Sequence, residues 1–230
     1  MKQSTRSVLT LHVAIFLIGM AGLFGKFLAL PPTIIVLGRV FFATITLFLL
    51  TRVFHENLRL PRKQDYLLLG FLGVVLAVHW VTFFQSIQLS TVAVGLLSFS
   101  TFPIFVTFLE PLFFKTHLRK IDVFISGVTF LGVLLIVPQF DLSNTITQGV
   151  LFGVVSGFTF AIVSLLNKKF VQTLSSRVIA FYQDAVALLV LLPFLFLTPV
   201  AFSSMDILLL LLLGVLFTAV AHSLFIEGMR

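Results

Sequence analysis

Eight apolar blocks divide the chain, at roughly 8–30, 34–54, 66–88, 91–114, 121–138, 148–167, 178–199 and 207–227. Each is close to the roughly 20 residues that a helix needs to cross a bilayer. Polar and apolar residues do not alternate with period two within them, so they do not read as barrel strands. Lipid offers no partner for exposed backbone groups, which leaves the helix as the spanning structure. The breaks agree with this division. Pro31 and Pro32 separate the first two blocks, and the basic stretch Arg52 to Asp65 separates the second and third. Ser90 and Thr91 mark a tight turn, and Lys115 to Lys120 a short basic loop. Pro138 to Thr147 is polar, Lys168, Lys169 and Arg177 bracket another loop, and Pro199 to Asp206 forms the last. The pattern predicts an all-α polytopic membrane protein with about eight transmembrane helices.

Composition strengthens this reading. Of 230 residues, 59% are hydrophobic and only 10% charged, too few charges to cover a soluble domain. The first block follows Lys2 and Arg6, as in a signal peptide. It is long, lacks a small-x-small cleavage site and precedes further spans, so it is expected to stay as the first helix. There are no cysteines, which excludes disulfides, thiolate metal sites and cysteine nucleophiles. The net charge of +7 does not call for nucleic acid, because cytoplasmic loops of membrane proteins collect Lys and Arg.

The placement of charge predicts an orientation. With the N-terminus in the cytoplasm and eight crossings, the cytoplasmic segments hold Lys2, Arg6, Arg52, Arg59, Arg62, Lys63, Lys115, Arg119, Lys120, Lys168, Lys169, Arg177 and Arg230. Only Lys26 and Arg39 fall elsewhere among the 15 basic residues. A multi-pass protein of the cell membrane with a cytoplasmic N-terminus is expected.

An internal repeat is also legible. Phe71-Leu72-Gly73-Val74-Val75-Leu76 is followed by His79 and Phe84, and Leu212-Leu213-Gly214-Val215-Leu216-Phe217 by His222 and Phe225. The second and seventh blocks align Leu30 with Leu174 and Gly38-Arg39 with Tyr182-Gln183. The helices thus pair one with six, two with seven and three with eight. A repeat of five helices inverts its second copy in the membrane, a device common in transporters. The expected divisions are a first repeat over 1–139 (helices one to five) and a partial second repeat over 145–230 (helices six to eight). Ten helices would complete the pattern, so a chain truncated after Arg230 is expected.

These residues resemble the EamA family of the drug/metabolite transporter superfamily. The likeness runs through Gly19 to Lys26 in the first helix, Leu30-Pro31-Pro32 and Gly38-Arg39, Ser90 to Leu97 leading to Pro103, and Leu213 to Ala219. One departure is Glu110, in Leu109-Glu110-Pro111, deeper than the Glu usual near Lys115-Thr116-His117. The resemblance implies a secondary transporter of small organic metabolites, expected to export by alternating access. An inactive transporter fragment is an alternative, as is an intramembrane enzyme or lipid-handling protein. The latter would need converging catalytic groups that the sequence does not offer.

Ionisable groups inside a bilayer are costly and tend to face a cavity or a partner. Arg39 lies seven residues past Pro32, roughly 10 Å at the helical rise, and needs an acceptor from an acid, helix-end carbonyls or an anionic solute. Asp184, beside Gln183, is either a proton or cation site or a neutralised structural acid. Glu110 lies near the inner end of the fourth helix with Lys115 in reach. His79 and His222 are either satisfied hydrogen-bonders or cavity residues, with Trp80 and Phe84 as further lining or lipid-facing residues. Lys26 is an interface candidate able to snorkel. His12 and Glu227 read as interfacial. Gly149, Gly153, Gly157 and Ala161 form a small-xxx-small ridge suited to helix packing. No phosphate-binding loop, metal-ligand spacing or nucleophile elbow is present, so neither cofactor nor metal is expected. Membrane lipid and a small-molecule metabolite are the expected partners, and monomers and homodimers both fit.

Overall fold

The computed structural model describes residues 4–136 and 141–230, and every regular element among them is helical. In chain order these are α1 (Ser4–Ala21), α2 (Phe24–Phe27), α3 (Pro32–Val53), α4 (Lys63–Leu89), α5 (Val92–Phe99) and α6 (Phe102–Phe114). There follow α7 (Lys120–Leu135), α8 (Thr145–Phe170), α9 (Ser176–Leu197), α10 (Ser204–Gly214), a π-helix (Val215–Val220) and α11 (Ala221–Gly228).

Local chemistry explains the boundaries. Pro32 opens α3, where the missing N–H would have been an orphan in any case. Thr91 accepts the Val94 N–H to cap α5. Ser203 and Asp206 form a reciprocal capping box on α10. The residue after α6, Lys115, adopts a left-handed conformation (φ 53°) that ends the helix. Asp122 in the first turn of α7 takes a bidentate pair from Arg119, at 2.7 and 3.0 Å, a favourable sign of charge at a helix N-terminus.

Seven spans among the described residues are long and apolar enough to cross a membrane: Thr5–Phe27, Pro32–Val53, Lys63–Leu89, Val92–Phe114, Thr145–Phe170, Ser176–Leu197 and Ser204–Gly228. The expected eighth, at 121–138, corresponds to α7, whose 16 residues rise about 24 Å against a hydrocarbon core of about 30 Å. The end of that block and the start of the following polar loop lie outside the described residues. Several spans are composite. α5 and α6 break at Ser100 and Thr101, and the last span joins α10, the π-helix and α11.

The helices form two units. One comprises Met1–Ala77 and Leu166–Arg230, the other Val78–Leu165, and α4 and α8 contribute residues to both. In the first unit α3 packs on α9, α10 and the π-helix, while α11 packs on α1 and α9. Glycine permits the tightest approaches. A Cβ at Gly214 would lie 2.7 Å from the Arg39 carbonyl oxygen, and one at Gly73 2.8 Å from that of Gln183. In the second unit a Cβ at Gly149, Gly153 or Gly157 would lie 2.7 Å from Ser90, 2.3 Å from Ser98 or 2.6 Å from Thr101. α8 therefore meets α4, α5 and the α5–α6 break at near-backbone distance. Lipid supplies no hydrophobic drive between helices, so such close packing and interhelical hydrogen bonds hold them together.

Candidate functional site

The first unit buries a charged and polar centre where α3, α9 and the π-helix meet. Arg39, 3% exposed, projects from α3. Its Nε donates to Thr218 Oγ1 at 2.9 Å. Thr218 is itself fully buried and donates to the Leu213 carbonyl at 2.7 Å, five residues back. That spacing is the widened turn of the π-helix. Such bulges occur frequently at functional sites, because they turn a side chain away from the regular ladder. Here the bulge presents a hydroxyl to a guanidinium.

Asp184 on α9 is fully buried and interacts electrostatically with Arg39. Neither carboxylate oxygen has a hydrogen-bond partner among the described residues. The preceding Gln183, also fully buried, donates through Nε2 to Asn167 Oδ1 at 2.6 Å. Gln183 Oε1 and Asn167 Nδ2 have no hydrogen-bond partner among the described residues. Buried polar atoms are satisfied in nearly all proteins, so a run of exceptions calls for an explanation. His222 on α11, 5% exposed, interacts electrostatically with Arg39. The sequence candidates Arg39, Gln183, Asp184 and His222 thus fall in one unit, and an electrostatic interaction with Arg39 links it to both Asp184 and His222.

The same unit holds a cavity of about 720 Å³. Its wall includes Arg6, Thr10, Leu50, Phe54, Ala219, Val220 and Ser223. Ala219 and Val220 follow Thr218 directly, and Ser223 follows His222, so the π-helix and α11 contribute to both the cavity wall and the buried centre. Charges ring it. Glu56 accepts from Arg177 and, at 2.7 Å, from Ser175 Oγ. The Arg177 guanidinium also lies 4.3 Å above the Phe54 ring. Glu227 pairs with Arg230 at 3.1 Å.

His79, Trp80 and Glu110 belong to the second unit. His79 Nδ1 lies 3.0 Å from the Ser156 carbonyl, to which it donates, and Ser156 Oγ donates to the His79 carbonyl at 3.1 Å. Phe160 and Phe99 flank its ring, with centroids at 4.9 and 5.4 Å. Trp80 is buried beside it. Glu110 lines a cavity of about 310 Å³ with His117, Arg119 and Asp122 and interacts electrostatically with Arg119. Lys26 stands exposed at the end of the first span. Among the described residues no group of three or more His, Cys, Asp or Glu could hold a metal ion.

Three contributors were missed from sequence. Thr218 carries no signal, since threonine is ordinary in apolar helices and a π-turn has no motif. Asn167 precedes Lys168-Lys169 and reads as part of a basic helix end. Glu56 lies in a loop 119 residues before Ser175, and only the packing of α3 on α9 joins them.

A model of the EamA-like transporter family matches residues 5–137 and 147–230. No curated protein sequence matches. A solved structure described as "Crystal structure of protein" aligns with a TM-score of 0.69 over 97% of this chain and 79% of that one. Its 16% identity makes that a likeness of fold. The two matched stretches span nearly the whole sequence, and the chain belongs to the EamA-like transporter family, within the drug/metabolite transporter superfamily.

Proposed function

We propose that the protein is a secondary transporter of small organic metabolites, exporting them by alternating access, with Arg39 and Asp184 at its solute-binding centre. The observation that carries this reading is Asp184, buried and in electrostatic interaction with Arg39, whose carboxylate accepts no hydrogen bond among the described residues. In a membrane-spanning unit such a group is a costly arrangement that a bound solute or proton can satisfy. Thr218 and Gln183 supply the hydroxyl and amide that fix orientation.

Alternating access rests on the repeat. Residues 1–139 and 145–230 form its two copies, and the separate family matches at 5–137 and 147–230 support that division. The distribution of Lys and Arg supports a cytoplasmic N-terminus in the cell membrane. That orientation puts the 720 Å³ cavity on the cytoplasmic side, because it is lined by the start of α1, the end of α3 and the start of α9. The cavity then opens toward the cytoplasm, with Ala219, Val220 and Ser223, the sequence neighbours of Thr218 and His222, in its wall.

The test is flux. Liposomes carrying the protein, loaded in turn with labelled amino acids, organic acids, sugars and amines, should release at least one class faster than empty liposomes. Release equal to that of empty liposomes across the whole panel would overturn the proposal.

A further inference from the structure

We propose that this carrier is proton-coupled and specific for organic anions, one proton moving onto Asp184 for each carboxylate held by Arg39. This inference deepens the transporter reading and rests on it.

The first ground is charge. Burial in a low-dielectric interior tolerates an ion pair far better than a net charge. With Asp184 ionised, Arg39 and Asp184 cancel. An anion arriving at Arg39 makes the centre net negative unless a proton comes with it. A proton on Asp184 restores neutrality, with the anion in place of the aspartate as the partner of the guanidinium. The proton is taken from water on the loading side and returned to water on the other side when the anion leaves. Nothing is oxidised or reduced, and no covalent bond to the solute forms.

The second ground is geometry. Asp184 is fully buried, yet both its oxygens accept no hydrogen bond among the described residues. An ionised structural carboxylate would be ringed by donors. Among the described residues, the other acids on helices that meet α9 are engaged at the helix ends: Glu227 on α11 pairs with Arg230, and Asp65 on α4 accepts from the Arg62 N–H. α3 brings Arg39, and the π-helix brings Thr218 to that arginine. α11 brings His222, which acts on Arg39. α4 meets α9 at Gly73, and its turns from Leu69 to Ala77 are apolar. The only ionisable residue of α10, Asp206, is bound into the cap at its far end. A cation would have to bind beside a buried arginine, which disfavours that class of solute.

The third ground is the cavity. Glu56 and Glu227 each neutralise an arginine, Arg177 and Arg230. Arg6 has no ion pair among the described residues. The described residues of the wall thus carry one net positive charge, a field that raises the local concentration of anions.

Infrared difference spectroscopy of the full chain in nanodiscs, titrated between about pH 5 and 9, tests the proton site. The carbonyl stretch of a protonated carboxylic acid should appear as pH falls. It should be lost in Asp184→Asn and move in frequency in Asp184→Glu. Addition of pyruvate, succinate or glutamate at fixed pH should strengthen it. Calorimetry in buffers of differing ionisation enthalpy should read about one proton taken up per anion bound, and about none in Asp184→Asn. A carbonyl band indifferent to Asp184 would overturn the proposal. So would anion binding without proton uptake, or liposome flux confined to neutral or cationic solutes, although that flux would leave the transporter reading standing.

Discussion

At Thr218 one hydroxyl serves two partners, donating to the Leu213 carbonyl and accepting from Arg39 Nε. Removing it leaves a buried guanidinium N–H without that acceptor, an arrangement that costs about 1–3 kcal/mol. Thr218→Val should therefore lower stability in detergent by about that amount, whereas Thr218→Ser, which keeps the oxygen, should cost less than half as much. Equal melting temperatures for the two variants would show that the hydroxyl does not hold Arg39. A similar logic applies at the cytoplasmic side of the first unit. Glu56 binds Ser175 Oγ and Arg177 at the start of α9 and is only partly exposed. Glu56→Gln removes a charge from a helix N-terminus and weakens those bonds. It should lower stability by about 1–2 kcal/mol, with the loss shrinking in high salt. Much of this chemistry was legible at the residue scale, because an ionisable side chain inside an apolar block stands out. Arg39, Asp184 and His222 are such residues. Thr218, the partner of Arg39, and Asn167, the partner of Gln183, are not, since uncharged polar residues cost little in a helix and their roles depend on what packs opposite.

The helices themselves follow from the sequence because apolar length is a one-dimensional property. Their interruptions do not. The π-helix at Val215–Val220 lies in an unbroken apolar run, with no proline or polar pair to announce it. At α7 the described helix runs to Leu135, and the end of its apolar block, from 137, lies outside the described residues. The ridge Gly149, Gly153 and Gly157 was readable as a spacing, but the serines and threonine it meets were not. Gly214 gives the sharpest prediction at this scale. A side chain there would meet the Arg39 carbonyl at 2.7 Å and Phe42 Cβ at 2.6 Å. Backbone cannot yield as a flexible side chain can, so α10 must move off α3. Gly214→Leu should cost about 1–3 kcal/mol by overpacking and abolish flux, because it displaces Thr218 from Arg39. Gly19, around which a Cβ would find open space, should tolerate leucine with unchanged flux and yield.

For the whole molecule, orientation is the property on which direction of transport depends. The absence of cysteine allows a direct assay. Asn57→Cys and Ala201→Cys both place a thiol at an exposed loop position. An impermeant maleimide added to intact cells should label Ala201→Cys and spare Asn57→Cys until the membrane is opened. The reverse pattern would invert the proposed orientation and move the cavity to the outer side. Family membership was visible in the order and spacing of loose motifs along the entire chain. The assignment of helices to two units was not, since it divides α4 and α8 internally and no compositional change marks Ala77 or Leu166. For the same reason the paired histidines His79 and His222 part company, one held by Ser156 and the other in electrostatic interaction with Arg39.

The most direct measurement is flux of the transported solute through wild type, Arg39→Gln and Asp184→Asn in matched liposomes, with monodispersity checked by size-exclusion chromatography. If the buried pair is the solute-binding centre, each variant should remain folded and lose at least about 100-fold in rate, the consequence of leaving about 3 kcal/mol of buried charge interaction unmet. Rates within a few-fold of wild type in both folded variants would remove Arg39 and Asp184 from the transport mechanism.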